Sequence, residues 1–105
     1  MIEMNAVELN EYITKNPNTL LIDVRENWEY SVVSIKGSIH IPISEIQSKM
    51  HDYEEENTIV FICHHGIRSR MVGLYFEQND FTNIINLRGG IDSWAKTVDR
   101  SMATY

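Results

Sequence analysis

Thr58-Ile59-Val60-Phe61-Ile62-Cys63-His64-His65-Gly66-Ile67-Arg68-Ser69 decides how this chain is read. Five residues of β-forming, mostly apolar character run into the only cysteine of the sequence. A helical pattern then begins at Ile67 and continues to about Asn79. Cys63 therefore falls where a strand ends and a helix begins. The first N–H groups of a helix have no partner within it. They carry partial positive charge and hold anions readily. A thiol placed there is favoured in its charged form. The stretch thus describes a nucleophile in an anion cradle.

Working outward, the neighbouring segments repeat the same alternation. Ile2-Glu3-Met4 is a short strand candidate, and Asn5 with Glu8 has the spacing of a capping box opening a helix that ends near Lys15. Asn16-Pro17-Asn18 marks a turn. Thr19 to Val24 reads as a buried strand, apolar without alternation. Arg25 to Tyr30 suits a short helix, Ile39-His40-Ile41 a short strand stopped by Pro42, and Ile43, Ile46 and Met50 fall at helical spacing. The acidic run from Asp52 to Asn57 reads as a solvated loop.

In the helix after Cys63, the pattern predicts Ile67, Met71, Leu74 and Tyr75 on the buried face, with Val72 and Phe76 beside them. Gly73 inside that helix implies close packing against a sheet. Phe81 to Leu87 is a fifth strand candidate, and Ile91 to Lys96 starts a final helix. The tail from Asp99 to Tyr105 carries no clear signal. Alternating strands and helices define an α/β domain: a five-stranded, mostly parallel sheet with helices on both faces. Ligands of such sheets bind at the carboxyl ends of the strands. Cys63, the pair Asp23 and Arg25, and Arg88 all fall on that rim.

Composition narrows the class. The 105 residues suit one domain, spanning 1–105. The net charge of −6 argues against nucleic-acid binding. It is unevenly spread: residues 1–62 hold four Lys/Arg against 11 Asp/Glu, whereas residues 63–105 hold five against four. A more basic active half suits a small anion. No apolar run approaches the roughly 20 residues that span a bilayer. The start does not read as a signal peptide, so no membrane attachment is expected. One cysteine cannot form an internal disulfide, which favours the reducing cytoplasm. It also means that any sulfur taken up by Cys63 must leave to an acceptor outside the chain.

Four segments resemble the rhodanese family, in order and at the family's spacing. They are Leu21 to Glu26 followed by Trp28-Glu29-Tyr30, Ile35 to Pro42, Cys63 to Ser69, and Asn86 to Trp94. The resemblance covers about residues 5–99 and is nearest to single-domain bacterial rhodaneses. It implies a sulfurtransferase without cofactor. The Cys63 thiolate would attack the sulfane sulfur of a donor such as thiosulfate or a persulfide, and pass it to a thiol, cyanide or a sulfur-acceptor protein. Backbone N–H groups along His64, His65, Gly66, Ile67, Arg68 and Ser69 would cradle that sulfur. His64 and His65 stand where thiosulfate-using members often carry permanently basic residues, so both donor classes stay open.

Asp23, Arg25 and Arg88 are expected to support the loop, and His64 and His65 to bind no metal. His40, Trp28 and Trp94 are expected to pack. Two alternatives remain at this point. One is a noncatalytic binding module of the same fold. The other is a cysteine phosphatase or arsenate reductase, whose related loops count seven residues from Cys to Arg; here Cys63 through Arg68 counts six.

Overall fold

The computed structural model describes residues 1–105. In chain order the elements are β1 (Ile2–Met4), α1 (Ala6–Lys15), β2 (Leu20–Asp23), α2 (Asn27–Val32), β3 (Ile39–His40), α3 (Ile43–Lys49), β4 (Thr58–Ile62), α4 (Ile67–Glu77), β5 (Asn83–Leu87) and α5 (Gly90–Thr97). A 3-10 turn, Met50–Asp52, closes α3. The five strands form one sheet in the order β1-β5-β4-β2-β3. Every pairing is parallel, so the sheet is wholly rather than mostly parallel.

Side chains alternate across each strand, and the two faces bury separate cores. Ile59, Phe61 and Cys63 point with Ile22, Val24 and Ile84 to the side covered by α3 and α4, where Ile46, Val72 and Phe76 meet them. Val60 and Ile62 point with Leu21, Ile85 and Leu87 to the side covered by α1 and α5, against Leu9, Ile91 and Trp94. Burial on both faces is why these strands read as continuous apolar runs. The capping box at α1 is present: Glu8 N–H donates to Asn5 Oδ1 at 2.8 Å, and Asn5 N–H to Glu8 Oε1 at 2.9 Å.

One expectation fails instructively. Ile67, Met71 and Leu74 do not face the sheet; they are 72, 68 and 44 % exposed. The buried face of α4 is Ser69, Val72, Gly73 and Phe76, an i, i+3, i+4, i+7 stripe. Ser69 must turn inward to reach the Cys63 sulfur, and that rotation carries Val72, Gly73 and Phe76 onto the sheet. Gly73 packs closely there as expected: a Cβ would stand 2.6 Å from Met1 Sδ and 3.1 Å from Ile84 Cγ2.

The tail is also more ordered into the fold than the sequence suggests. Tyr105 lies against α2 and the loop after β4, edge-on to Trp28 with centroids 5.5 Å apart. Trp28 itself sits at the rim, exposed, while Trp94 is buried. His40 packs, as expected. It stacks on Tyr30 at 4.4 Å, and its Nε2 donates to the Arg25 carbonyl at 2.7 Å.

Candidate functional site

β4 delivers Cys63 to the centre of the carboxyl rim, between β2 and β5. Its side chain is 1 % exposed. The segment from Cys63 to Ser69 curls around the sulfur so that two of its N–H groups face it. Gly66 N–H points at Sγ from 3.1 Å and Ser69 N–H from 3.3 Å, with the Ser69 hydroxyl oxygen at 3.2 Å. Carbonyls therefore turn outward, and α5 receives them. The Ile91 and Asp92 N–H groups, among the unpaired donors opening that helix, bond the Cys63 and His64 carbonyls at 2.9 and 3.1 Å.

This back-to-back arrangement leaves no room between loop and helix. At Gly90 (φ +64°) a Cβ would overlap the Cys63 and His64 carbonyls. At Gly66 (φ +93°) one would approach the Leu87 carbonyl to 2.9 Å. These two glycines permit both the left-handed turn and the close approach.

The Arg68 side chain is tied to a neighbouring helix. Its guanidinium forms a two-pronged pair with Glu29 of α2, at 2.7 and 2.9 Å. Glu29 also accepts from the Glu26 N–H at 3.1 Å and from the Tyr105 hydroxyl at 2.7 Å. The Arg68 hydrogen bonds outweigh burial and hold the Glu29 carboxyl down to about 2 from its ordinary 4.5. Arg68 is correspondingly held charged near the sulfur.

A folded-state value below the unfolded one stabilises the fold above pH of about 4.5, and that stabilisation is lost as pH falls toward 2. With the Glu29 side chain only 5 % exposed, the loss amounts to about 3 kcal/mol at most. Urea unfolding between pH 7 and 3 should therefore show a steep acid loss of stability. In Glu29→Gln the slope should flatten even though the variant starts less stable. Equal slopes would mean that other carboxylates set the acid limit.

Asp23 and Arg25 form the expected pair, both fully buried. Arg25 Nε and Nη2 bond the Asp23 carboxylate at 2.8 to 3.1 Å. The remaining donors go to the Glu29 and Val33 carbonyls and the Tyr105 hydroxyl, at 3.3, 2.6 and 2.9 Å. Arg25 thus fastens α2 and the tail. Its connection to the loop runs through Glu29 and Arg68. Arg88 behaves differently from the expectation: its exposed guanidinium lies 3.9 Å from Glu8 and makes no bond to the loop. The backbone beside it, at Gly89 and Gly90, is what packs there. Arg88 and Arg70 instead line a cleft of about 580 Å³ behind Gly66, onto which Cys63 does not open.

His64 is sandwiched between His65 and Tyr105, each with ring centroids 3.9 Å away. Burial, then the neighbouring His65, pushes its pKa below the usual 6.5, which disfavours the charged form. His64, His65 and Asp92 bring potential ligand atoms within 4.8 Å of one another. The two imidazole planes lie 30° apart, and Lys96 holds one Asp92 oxygen at 3.0 Å.

Three contributors escape a reading of local pattern. Glu29 and Tyr105 act across long sequence separations and give no signal. Asn86 does give one: a buried amide inside an apolar strand must find partners. Its Nδ2 donates to Glu3 Oε1 at 2.8 Å and to the Gly66 carbonyl at 3.0 Å, and its Oδ1 accepts from the Ser69 hydroxyl at 2.6 Å.

A parallel α/β sheet that presents one cysteine at its carboxyl rim, with the Gly66 and Ser69 N–H groups aimed at the sulfur, defines a class of cysteine-loop α/β domains. Within that class the chain belongs to the rhodanese-like domain family, whose family model matches residues 5–97. It is 34% identical over 92 residues to YtwF of Bacillus subtilis (strain 168), covering 88% of each chain. It is 28% identical over 94 residues to a protein of Allochromatium vinosum named sulfurtransferase, covering 90% of this chain and 88% of that one. The crystal structure of a rhodanese-related protein from Thermoplasma volcanium superposes with a TM-score of 0.81 at 36% identity, over 91% of this chain and 92% of the other. These relatives support sulfur transfer as the general activity. No helix is long and apolar enough to cross a membrane.

Proposed function

We propose that this protein is a sulfurtransferase that carries sulfane sulfur as a persulfide on Cys63. The observation that supports this reading is the convergence of the Gly66 and Ser69 N–H groups on a single sulfur atom, at 3.1 and 3.3 Å. Fixed donors aimed where charge resides stabilise it without reorganising during reaction. These donors stabilise the Cys63 thiolate that attacks and is later released; in the persulfide the negative charge resides on the terminal sulfur, one S–S bond beyond Sγ.

In the first half-reaction the Cys63 thiolate attacks the outer sulfur of the donor. The new S–S bond forms as the donor's own bond to that sulfur breaks, and the electron pair leaves with the remainder. From thiosulfate the leaving group is sulfite. From a low-molecular-weight or protein persulfide it is a thiolate. In the second, a nucleophile attacks the terminal sulfur of the Cys63 persulfide and releases the Cys63 thiolate. Cyanide becomes thiocyanate, and an acceptor thiolate becomes a persulfide. Charge and atoms balance in both steps, and no cofactor enters.

Arg68, locked to Glu29, supplies fixed positive charge near the sulfur instead of gripping the donor. The stacked His64 shapes the rim. With His65 the only exposed histidine of the loop, neither residue offers the permanent charges that a dianion such as thiosulfate favours. Persulfide donors therefore suit the site at least as well. The absence of a second cysteine requires an external acceptor, either a small thiol or a protein. A free, buried thiol working this way belongs in a reducing compartment such as the cytoplasm.

The test is intact-protein mass spectrometry after incubation with thiosulfate and, separately, with a persulfide donor. The expected result is a gain of one sulfur atom, located on Cys63 and removed by dithiothreitol or cyanide. Absence of the adduct with both donors would refute the carrier mechanism.

A further inference from the structure

The amide of Asn86 has only one way round. Both hydrogens on its nitrogen go to atoms that can only accept, the Glu3 carboxylate and the Gly66 carbonyl. Turning the amide over would set its oxygen against those two oxygens. Asn86 Oδ1 therefore faces Ser69. An amide oxygen has no hydrogen to give, so the Ser69 hydroxyl donates to it, at 2.6 Å. A hydroxyl has one hydrogen, and here it is spent. The Ser69 oxygen thus presents lone pairs to the Cys63 sulfur 3.2 Å away.

This has opposite consequences for the two forms of the sulfur. A thiol can give its S–H to Ser69 Oγ, which completes a chain from Cys63 through Ser69 to Asn86. A thiolate meets lone pairs, unless the hydroxyl swings round and abandons Asn86. The Gly66 and Ser69 N–H groups favour charge on the sulfur. The orientation imposed by Asn86 opposes it.

We propose that Asn86 is a positioning residue that holds the Ser69 hydroxyl turned away from Cys63, so that its lone pairs rather than its hydrogen face the sulfur until the hydroxyl is released toward it. The swing supplies a third donor as negative charge develops on sulfur during transfer. At rest the same arrangement shields an otherwise reactive thiol. This rests on Cys63 being the reactive sulfur. Other charged and titratable groups near it are His64 and His65 of the loop, Arg68 with Glu29, Asp23 with Arg25, Glu3 with Arg70, and Tyr105. Removing Asn86 frees Glu3 and the Gly66 carbonyl in either Ser69 background, so the comparison between the two backgrounds removes their influence.

The experiment is the iodoacetamide alkylation rate against pH for the wild type, Asn86→Ala, Ser69→Ala and the double variant. Without Asn86 the Ser69 hydroxyl is free to donate to the thiolate. The midpoint should then fall by about half to one pH unit, a roughly three- to tenfold faster rate at a fixed pH below it. In the Ser69→Ala background the Asn86 substitution should have no further effect. An unmoved or raised midpoint in Asn86→Ala overturns the proposal, and so does a shift of equal size in both backgrounds. Asn86→Leu, closer in volume, removes the same acceptor and serves if the alanine variant does not fold. Alkylation needs no sulfur donor, so this result and the persulfide result can fail independently.

Discussion

Cys63→Ser is expected to lose sulfur transfer altogether, by at least about four orders of magnitude in turnover, while keeping the fold. A serine hydroxyl neither ionises near neutral pH nor forms a stable bond to sulfane sulfur. Nothing else in the chain can substitute, because no second thiol exists. Packing should scarcely notice. The smaller oxygen sits among the same Gly66 and Ser69 donors, and its shorter bond to Cβ merely lengthens those contacts. A stability change within about 1 kcal/mol is expected. Transfer from thiosulfate to cyanide, and from a persulfide to a small thiol, measures the first part; thermal unfolding measures the second. A serine variant that still transferred sulfur would locate the nucleophile elsewhere.

The largest structural effect is expected at Arg25. The side chain is fully buried and donates to a carboxylate, two carbonyls and a phenol. Arg25→Ala leaves the equally buried Asp23 carboxylate without its cation and frees α2 and the Tyr105 hydroxyl. Removing one member of a buried pair costs about 3–5 kcal/mol, against a total stability of roughly 5–15 kcal/mol for a domain of this kind. The urea midpoint should drop sharply, and the tail should become accessible to protease. Arg25→Met combined with Asp23→Asn should recover part of the loss, because no bare charge stays buried. A cost below about 1 kcal/mol for Arg25→Ala would show that the pair is not fastening anything.

These two sites also show what the sequence makes legible. Cys63 could be placed from local pattern, because an apolar strand followed by a helical repeat is encoded in neighbouring residues. Asp23 and Arg25 lie two positions apart and fall on the same rim. The parallel sheet follows from β2 and β4 being apolar on both faces. What Arg25 holds could not be read in the same way. Tyr105 comes from 80 residues further along, and Glu29 meets Arg68 across 39. Such pairings are products of the fold and leave no trace in local periodicity.

The rotation of α4 is not legible in the sequence for a related reason. Counting apolar residues favours Ile67, Met71 and Leu74, but the rotation of the helix is set by one polar residue, Ser69, turning to the sulfur. Arg88 shows the converse. Its place on the rim was legible, whereas the outward course of its guanidinium toward Glu8 was not.

The seating of the loop on Gly90 and the first turn of α5 bears on how readily this scaffold could be turned to other chemistry. The bore of the cradle is fixed from behind, by a backbone that already touches the Cys63 and His64 carbonyls. Lengthening the loop by one residue, to encircle a tetrahedral oxyanion, would push those carbonyls into the helix that receives them. A designer or a mutational path seeking that change would have to move the β5–α5 turn at the same time. Single insertions between Cys63 and Arg68 should therefore mostly produce unfolded protein rather than intermediates with a new activity.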